Sequence, residues 1–185
     1  MSSIRMVVIL ILFVLEGTIA FSQTLTVNQI QNFQYKDKSV VIDWLLKHGY
    51  KEGDKVLKGH AKEYIDEAYL YGSEKLQSTA YFNRELLDIV YLGYTASGIL
   101  RLFHITYTND NDAQIFDNIS KQLSESGFKK FVEYDMNGSS ASFDYVKGEK
   151  YFQIIYHYNR GYTLASYDKK IHDLHKWVDK NVGTK

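Results

Sequence analysis

The chain of 185 residues contains no cysteine and no proline, and its 22 Lys and Arg are balanced by 22 Asp and Glu, for a formal net charge of +0. Without cysteine there is no disulfide, no thiolate nucleophile and no thioether-linked lipid anchor. The lack of proline, together with the lack of any Ser/Gly-rich or like-charge run after residue 23, removes the usual signals of a linker. Balanced charge offers no clustered excess of Lys and Arg for nucleic acid or an anionic membrane, so neither is an expected partner. Long hydrophobic runs are also scarce. The one that exists, Val7 to Leu15, is cut by Glu16 and Gly17, well short of the roughly 20 residues that span a bilayer.

That run has a different reading. Arg5 precedes it and Ala20-Phe21-Ser22 follows as a small-x-small site, which is the grammar of an export signal over residues 1–22. Cleavage between Ser22 and Gln23 is expected, with a secreted or periplasmic product and no membrane insertion afterwards. Residues 23–185 then form a single domain. An exported chain without disulfides must be stabilised by a core, and a chain of this size can bury close to 70% of its unfolded surface.

Apolar spacing predicts a helix over Ser39 to His48, with Val40, Val41, Trp44 and Leu45 on one side and Gly49 as its stop. A second is predicted over Asp112 to Ser126, with Asn111 and Gln114 spaced as a capping box, Ile115, Ile119 and Leu123 on one face, and Gly127 as the stop. A terminal helix over Lys169 to Lys180 and a helical turn over Val27 to Phe33 are weaker patterns. Strands are predicted at Lys55 to Leu57, Tyr64 to Tyr71, Leu86 to Tyr94, Ile99 to Tyr107, Lys129 to Asp135, Ser140 to Val146, Tyr151 to Tyr158 and Tyr162 to Tyr167. Gly148-Glu149 reads as a two-residue hairpin turn and Asn159-Arg160-Gly161 as a three-residue loop.

Leu45-x-x-x-Gly49-Tyr50-Lys51 recurs as Leu123-x-x-x-Gly127-Phe128-Lys129, each copy followed by strands. The fold expected is therefore α+β: an antiparallel sheet of about seven to eight strands with helices on one face, from tandem duplication of a helix plus four-strand unit over 36–108 and 110–168. Fusing two such units edge to edge enlarges a small core and removes one exposed edge from each. The hairpin turning at Thr95 to Gly98 is apolar on both sides: Val90, Leu92, Ile99, Phe103 and Ile105 on one, Leu87, Ile89, Tyr91, Leu100 and Leu102 on the other. A strand apolar on both faces is covered on both, here by the segment between Lys58 and Ser78 or by a second chain in a homodimer.

The residues Trp44-Leu45-Leu46-Lys47-His48-Gly49-Tyr50, Glu67-Ala68-Tyr69 and Ser126-Gly127-Phe128-Lys129 give the chain a resemblance to small exported α+β proteins of Gram-negative bacteria. The tandem of helix and antiparallel meander is similar to the beta-lactamase-inhibitor-protein architecture, which implies a sheet face that receives a partner protein. Those inhibitors carry disulfides in each half and this chain has none, so the resemblance concerns architecture and transfers no functional residue.

Chemistry is harder to find. Of six histidines, only His172 and His175 are close, and with Asp173 and Asp179 nearby they are a weak candidate metal pair that lacks a Glu base within the motif and any Cys; a solvated helix face, where a charged histidine near the C-terminus favours the dipole, is the expected reading. No G-x-S-x-G or glycine-rich phosphate loop occurs. Asn137-Gly138-Ser139-Ser140 reads as turn chemistry, and Asp110-Asn111-Asp112 lacks the glycine and distal glutamate of a calcium loop. The carboxylates Glu63, Asp66, Glu67, Glu85 and Asp88 could serve a hydrolase, but their spacing defines no shared site. No cofactor is expected.

What stands out is tyrosine: 16 of them, with 10 Phe and 2 Trp. Tyrosine is a favoured strand residue and also the side chain that interfaces favour, since it supplies rigid contact area at low entropic cost. Across the Gly148-Glu149 turn, Phe143 should lie opposite Ile154 and Tyr145 opposite Phe152 on the core face. Tyr156 should then lie opposite Leu164, and His157 opposite Thr163. Asp144, Tyr151, Gln153, His157 and Thr163 would share the opposite face, away from the helices, as a polar-aromatic surface for a protein partner. The alternative is a small periplasmic ligand or carbohydrate carrier, or a hydrolase.

Overall fold

In the computed structural model, residues 25–68, 75–107, 112–136, 140–157 and 161–168 are described. The chain begins there with two helices, α1 (Val27–Phe33) and α2 (Lys38–Lys47), then β1 (Lys51–Glu52) and α3 (Lys55–Ala68). A meander follows, β2 (Gln77–Asn83), β3 (Asp88–Tyr94) and β4 (Leu100–Tyr107). The second half is α4 (Asp112–Glu125), β5 (Lys129–Met136), β6 (Ser140–Lys147), β7 (Lys150–His157) and β8 (Gly161–Asp168). All eight strands form one antiparallel sheet in the order β1-β2-β3-β4-β8-β7-β6-β5. The class is α+β: the first half carries three helices and four strands, the second one helix and four strands, and the two halves join through their last strands, β4 and β8.

The motif shared by the halves is a helix ending. At the end of α2, Tyr50 N–H donates to Leu45 O at 3.0 Å and Gly49 N–H to Leu46 O at 3.3 Å. After α4, Phe128 N–H donates to Leu123 O at 3.0 Å and Gly127 N–H to Ser124 O at 3.0 Å. Both glycines have φ +82°. These are two Schellman caps, in which a left-handed residue lets the chain return two bonds to the last turn. Cap chemistry thus accounts for the sequence match by itself.

Helices α1, α2 and α4 cover one face of the sheet. Val27, Ile30, Val41, Leu45, Ile119 and Leu123 join Val90, Leu92, Phe103, Ile105, Phe152, Ile154 and Leu164 in one buried cluster. Thr26 and Gln29 form a capping box at α1, and Gln122 Oε1 accepts from Val27 N–H at 3.1 Å, tying α1 to α4.

The largest correction to the sequence reading is α3. Residues Lys55 to Leu57 and Tyr64 to Ala68 were expected in strands, yet they belong to one helix. Ala61 and Ile65 are its buried positions, one turn apart, and Asp54 Oδ1 caps it by accepting from Val56 and Leu57 N–H at 3.0 and 2.9 Å. Period prevailed over the strand preference of tyrosine and isoleucine. This helix lies on the second face, where Ile65, Leu76 and Leu102 cluster with Tyr64 against them. The second apolar side of the β3–β4 hairpin is therefore covered by Tyr64 and Ile65 of α3 and by Leu76, all within the chain's own 58–78 stretch, the first of the two options above. β2 carried no strand expectation.

Two smaller departures sit in that hairpin. Leu87 is in the β2–β3 turn at φ +56° and exposed, so it lines neither face. A bulge between Gly93 and Tyr94 pairs Tyr94 with Leu100 rather than Arg101, which turns Leu100 into the main core. The expected signal region 1–22, the loop residues 137–139, 159 and 160, residues 110 and 111, and the terminal helix 169–180 lie outside the described residues.

Candidate functional site

The Gly148-Glu149 turn sets the register of β6 and β7 as expected, with Phe143 opposite Ile154, Tyr145 opposite Phe152, Asp144 opposite Gln153 and Val146 opposite Tyr151. The β7–β8 register differs by two residues. Tyr156 lies opposite Tyr162 and His157 opposite Gly161, while Leu164 and Thr163 pair with Ile154 and Ile155. Pairing His157 with Gly161 takes Gly161 into β8, where it was expected in the loop, and an even shift keeps each paired residue on its expected face. His157 keeps its place on the second face by register, at the end of β7; its side chain is outside the described set.

Asp144, Tyr151, Gln153 and Thr163 thus share the face opposite α1, α2 and α4. One cross-strand row runs Asp144, Gln153, Ala165, His104, Tyr91, Ala80, and the next Ser142, Ile155, Thr163, Thr106, Ile89, Phe82. Gln153 Nε2 donates to Asp144 Oδ1 at 3.3 Å. His104 Nε2 and Thr106 Oγ1 lie 3.0 Å apart, and Thr106 Oγ1 reaches Thr163 Oγ1 at 3.4 Å. The polar members form two small networks along one sheet face.

Aromatic rings surround them. Tyr64 of α3 meets the His104 ring edge-on at 4.2 Å, and Tyr91 lies 5.2 Å from it. Tyr151 and Tyr167 are parallel at 6.3 Å. Burial pushes the Tyr64 and Tyr91 hydroxyls up. Tyr167 is pushed up first by burial and then by the charge of the nearby Asp144 carboxylate. These hydroxyls stay protonated at neutral pH and can donate.

The face is not open in the way the sequence suggested. Asp144, Tyr151 and Thr163 are only 5–6% exposed, whereas Val146, Gln153 and Ile155 are half-buried. Tyr151 packs with Ala165, Tyr167 and Val146 in a buried cluster of its own, so the aromatic side chains that would have met a partner meet one another. His104, Thr106, Tyr64 and Tyr167 were missed as members. The alternation of His104 and Thr106 with Phe103, Ile105 and Tyr107 already marks them as one face; Tyr64 needed the helical reading of α3.

Other candidates separate. Asp88 is buried on the first face against Tyr50, Glu63 and Asp66 are on α3, where Lys62 pairs with Asp66, and Glu85 is in the β2–β3 turn, so these carboxylates form no shared site. Among the described residues no group of three or more His, Asp or Glu is placed to hold a metal ion; His172 and His175 lie outside them. Comparison with protein-family models, curated proteins and solved structures finds no match.

Proposed function

We propose that this chain is an exported, non-catalytic binding module of the cell envelope, acting after removal of residues 1–22, and that it recognises a protein partner through the second face of its sheet. The observation that supports this most is the convergence of Asp144, Gln153, Thr163, His104 and Thr106 from four strands onto one face ringed by tyrosines. The contact positions are the half-buried Val146, Gln153 and Ile155, with Asp144 orienting the Gln153 amide. The tandem of helix and meander is read as a duplicated unit whose fused sheet provides this surface. The burial of Asp144, Tyr151 and Thr163 favours a second reading, a small polar ligand such as a saccharide, since aromatic faces with a few placed hydrogen-bonding groups suit one.

A crosslinked pull-down from the native envelope, run with wild-type protein and with Gln153→Arg, tests the first reading. A protein recovered by the wild type and lost with the variant supports it, provided the thermal midpoints agree within a few degrees. A thermal-shift panel of exported saccharides and peptidoglycan fragments tests the second. Turnover of any panel member that disappears with a single carboxylate or histidine substitution would refute both.

A further inference from the structure

The connection between α1 and α2 contains a backbone outlier. Tyr35 has φ +63° and is 42% exposed, although a bulky ring in the left-handed region is uncommon and strained. Such a conformation persists only where the surroundings impose it, and these outliers gather at functional sites. Here the imposition is visible: Tyr35 N–H donates to Leu100 O at 3.1 Å, Leu100 N–H to Lys36 O at 2.8 Å, and Lys38 N–H to Gly98 O at 2.8 Å. Asp37 also pairs with Ile99 as an isolated antiparallel bridge.

The second irregularity lies directly across. The bulge that pairs Tyr94 with Leu100 makes Arg101 the extra residue of β4, and bulges re-aim the side chain they carry. The Arg101 guanidinium sits over the Tyr35 ring at 5.3 Å, and beside this pair Lys38 Nζ sits over the Tyr94 ring at 4.3 Å. Two cation–π pairs are therefore built next to one another by a strained residue and a bulge. Of the charged residues in segments 35–38 and 98–101, Lys36, Lys38 and Arg101 are cationic, and the one carboxylate, Asp37, is held by Ser39 at the start of α2, with Ser39 N–H at 2.8 Å and Ser39 Oγ at 2.7 Å. Within these two segments cations outnumber carboxylates three to one, beside two aromatic rings.

We infer that Tyr35, Arg101, Lys38 and Tyr94, with Lys36, form a docking surface for an acidic protein segment. Arginine stacked on an aromatic ring is preorganised to meet a carboxylate, and Tyr and Arg are the side chains most enriched where interfaces concentrate their binding energy. The surface shares no residue with the second sheet face and stands independently of the function proposed for that face.

Fluorescence anisotropy with a labelled peptide of alternating Glu and Gly, against the same peptide with Gln for Glu, tests it on the full chain. Wild type should prefer the Glu peptide. Arg101→Gln should weaken it about tenfold or more, as should Tyr35→Asn, in which asparagine keeps the left-handed backbone without the ring. The thermal midpoint of Tyr35→Asn should stay within a few degrees of wild type, and Lys51→Gln, an exposed lysine on β1, should bind as wild type. Equal binding of the two peptides overturns the inference, as does a Lys51→Gln loss matching that of Arg101→Gln. Capture of a sulfated polysaccharide without preference between the peptides overturns it in favour of a glycan ligand.

Discussion

The Tyr50 hydroxyl donates a 3.1 Å hydrogen bond to Asp88 Oδ2, joining the chain leaving α2 to the first residue of β3. Asp88 is 2% exposed. Burial pushes its pKa from 3.8 up to about 7, with the Tyr50 bond opposing that rise. Stacked Tyr107 and Tyr162, 4.5 Å apart, lie beside the pair.

A pH dependence follows with a definite sign. Between pH 4 and 7 the folded chain holds a proton on Asp88 that the unfolded chain releases, so stability falls as pH rises through this window and levels off above it. At about 1.4 kcal/mol per pKa unit, the full change is on the order of 4 kcal/mol. Asp88→Asn keeps an acceptor for Tyr50 and lacks the titration. Urea unfolding of both proteins from pH 4 to 8 should show the variant gaining on the wild type as pH rises; parallel curves would place the carboxylate in water.

Gly93 and Gly59 make an opposed pair of substitutions. A Cβ at Gly93 would meet Leu102 Cβ and Leu76 Cδ1 at 3.2 Å and Ile65 Cδ1 at 3.3 Å, where α3 rests on the sheet. Gly93→Ala should cost about 1–3 kcal/mol by overpacking. Gly59 is exposed within α3 and a Cβ there meets nothing within 4 Å, so Gly59→Ala should stabilise by about 0.5–1 kcal/mol. Denaturant midpoints measure both.

Substitution at either Schellman cap should destabilise the chain. Gly49→Ala and Gly127→Ala each force a Cβ into φ +82°, at about 1–2 kcal/mol. Gly49→Ala should be the worse of the two, because its Cβ also meets Asn83 Nδ2 at 3.4 Å, and Asn83 Nδ2 donates to His48 O at 3.2 Å. Chemical unfolding of the two variants ranks them.

A double-mutant cycle with Tyr64→Leu and His104→Leu measures the join between α3 and the polar face. The edge-on contact at 4.2 Å predicts a coupling of about 0.5–1.5 kcal/mol. Additive single effects would mean that the Tyr64–His104 ring contact contributes nothing to that join.

Much of this architecture was legible because local rules carried it. Gly49 and Gly127 marked the ends of α2 and α4 as caps, and Gly148-Glu149 aligned β6 with β7 residue by residue. Lys55–Ala68 failed because Tyr64 and Ile65 are strand residues by preference, and only their turn-by-turn register with Ala61 marks a helix. The face shared by Asp144, Tyr151, Gln153 and Thr163 was legible from alternation. Their burial was not, because it depends on what packs over a face, and alternation reports only direction. His104 joined them through β4–β8 pairing, a contact between strands distant in sequence.

Calorimetric titration of a protein recovered by the crosslinked pull-down, into wild-type protein and into Gln153→Arg, tests the proposed recognition face most directly. Recognition through this face requires saturable binding to the wild type and at least about a tenfold loss in the variant, with thermal midpoints that agree within a few degrees. Equal affinity for both proteins, or an envelope pull-down from which the wild type recovers no partner, would contradict the assignment of the second sheet face as the recognition surface.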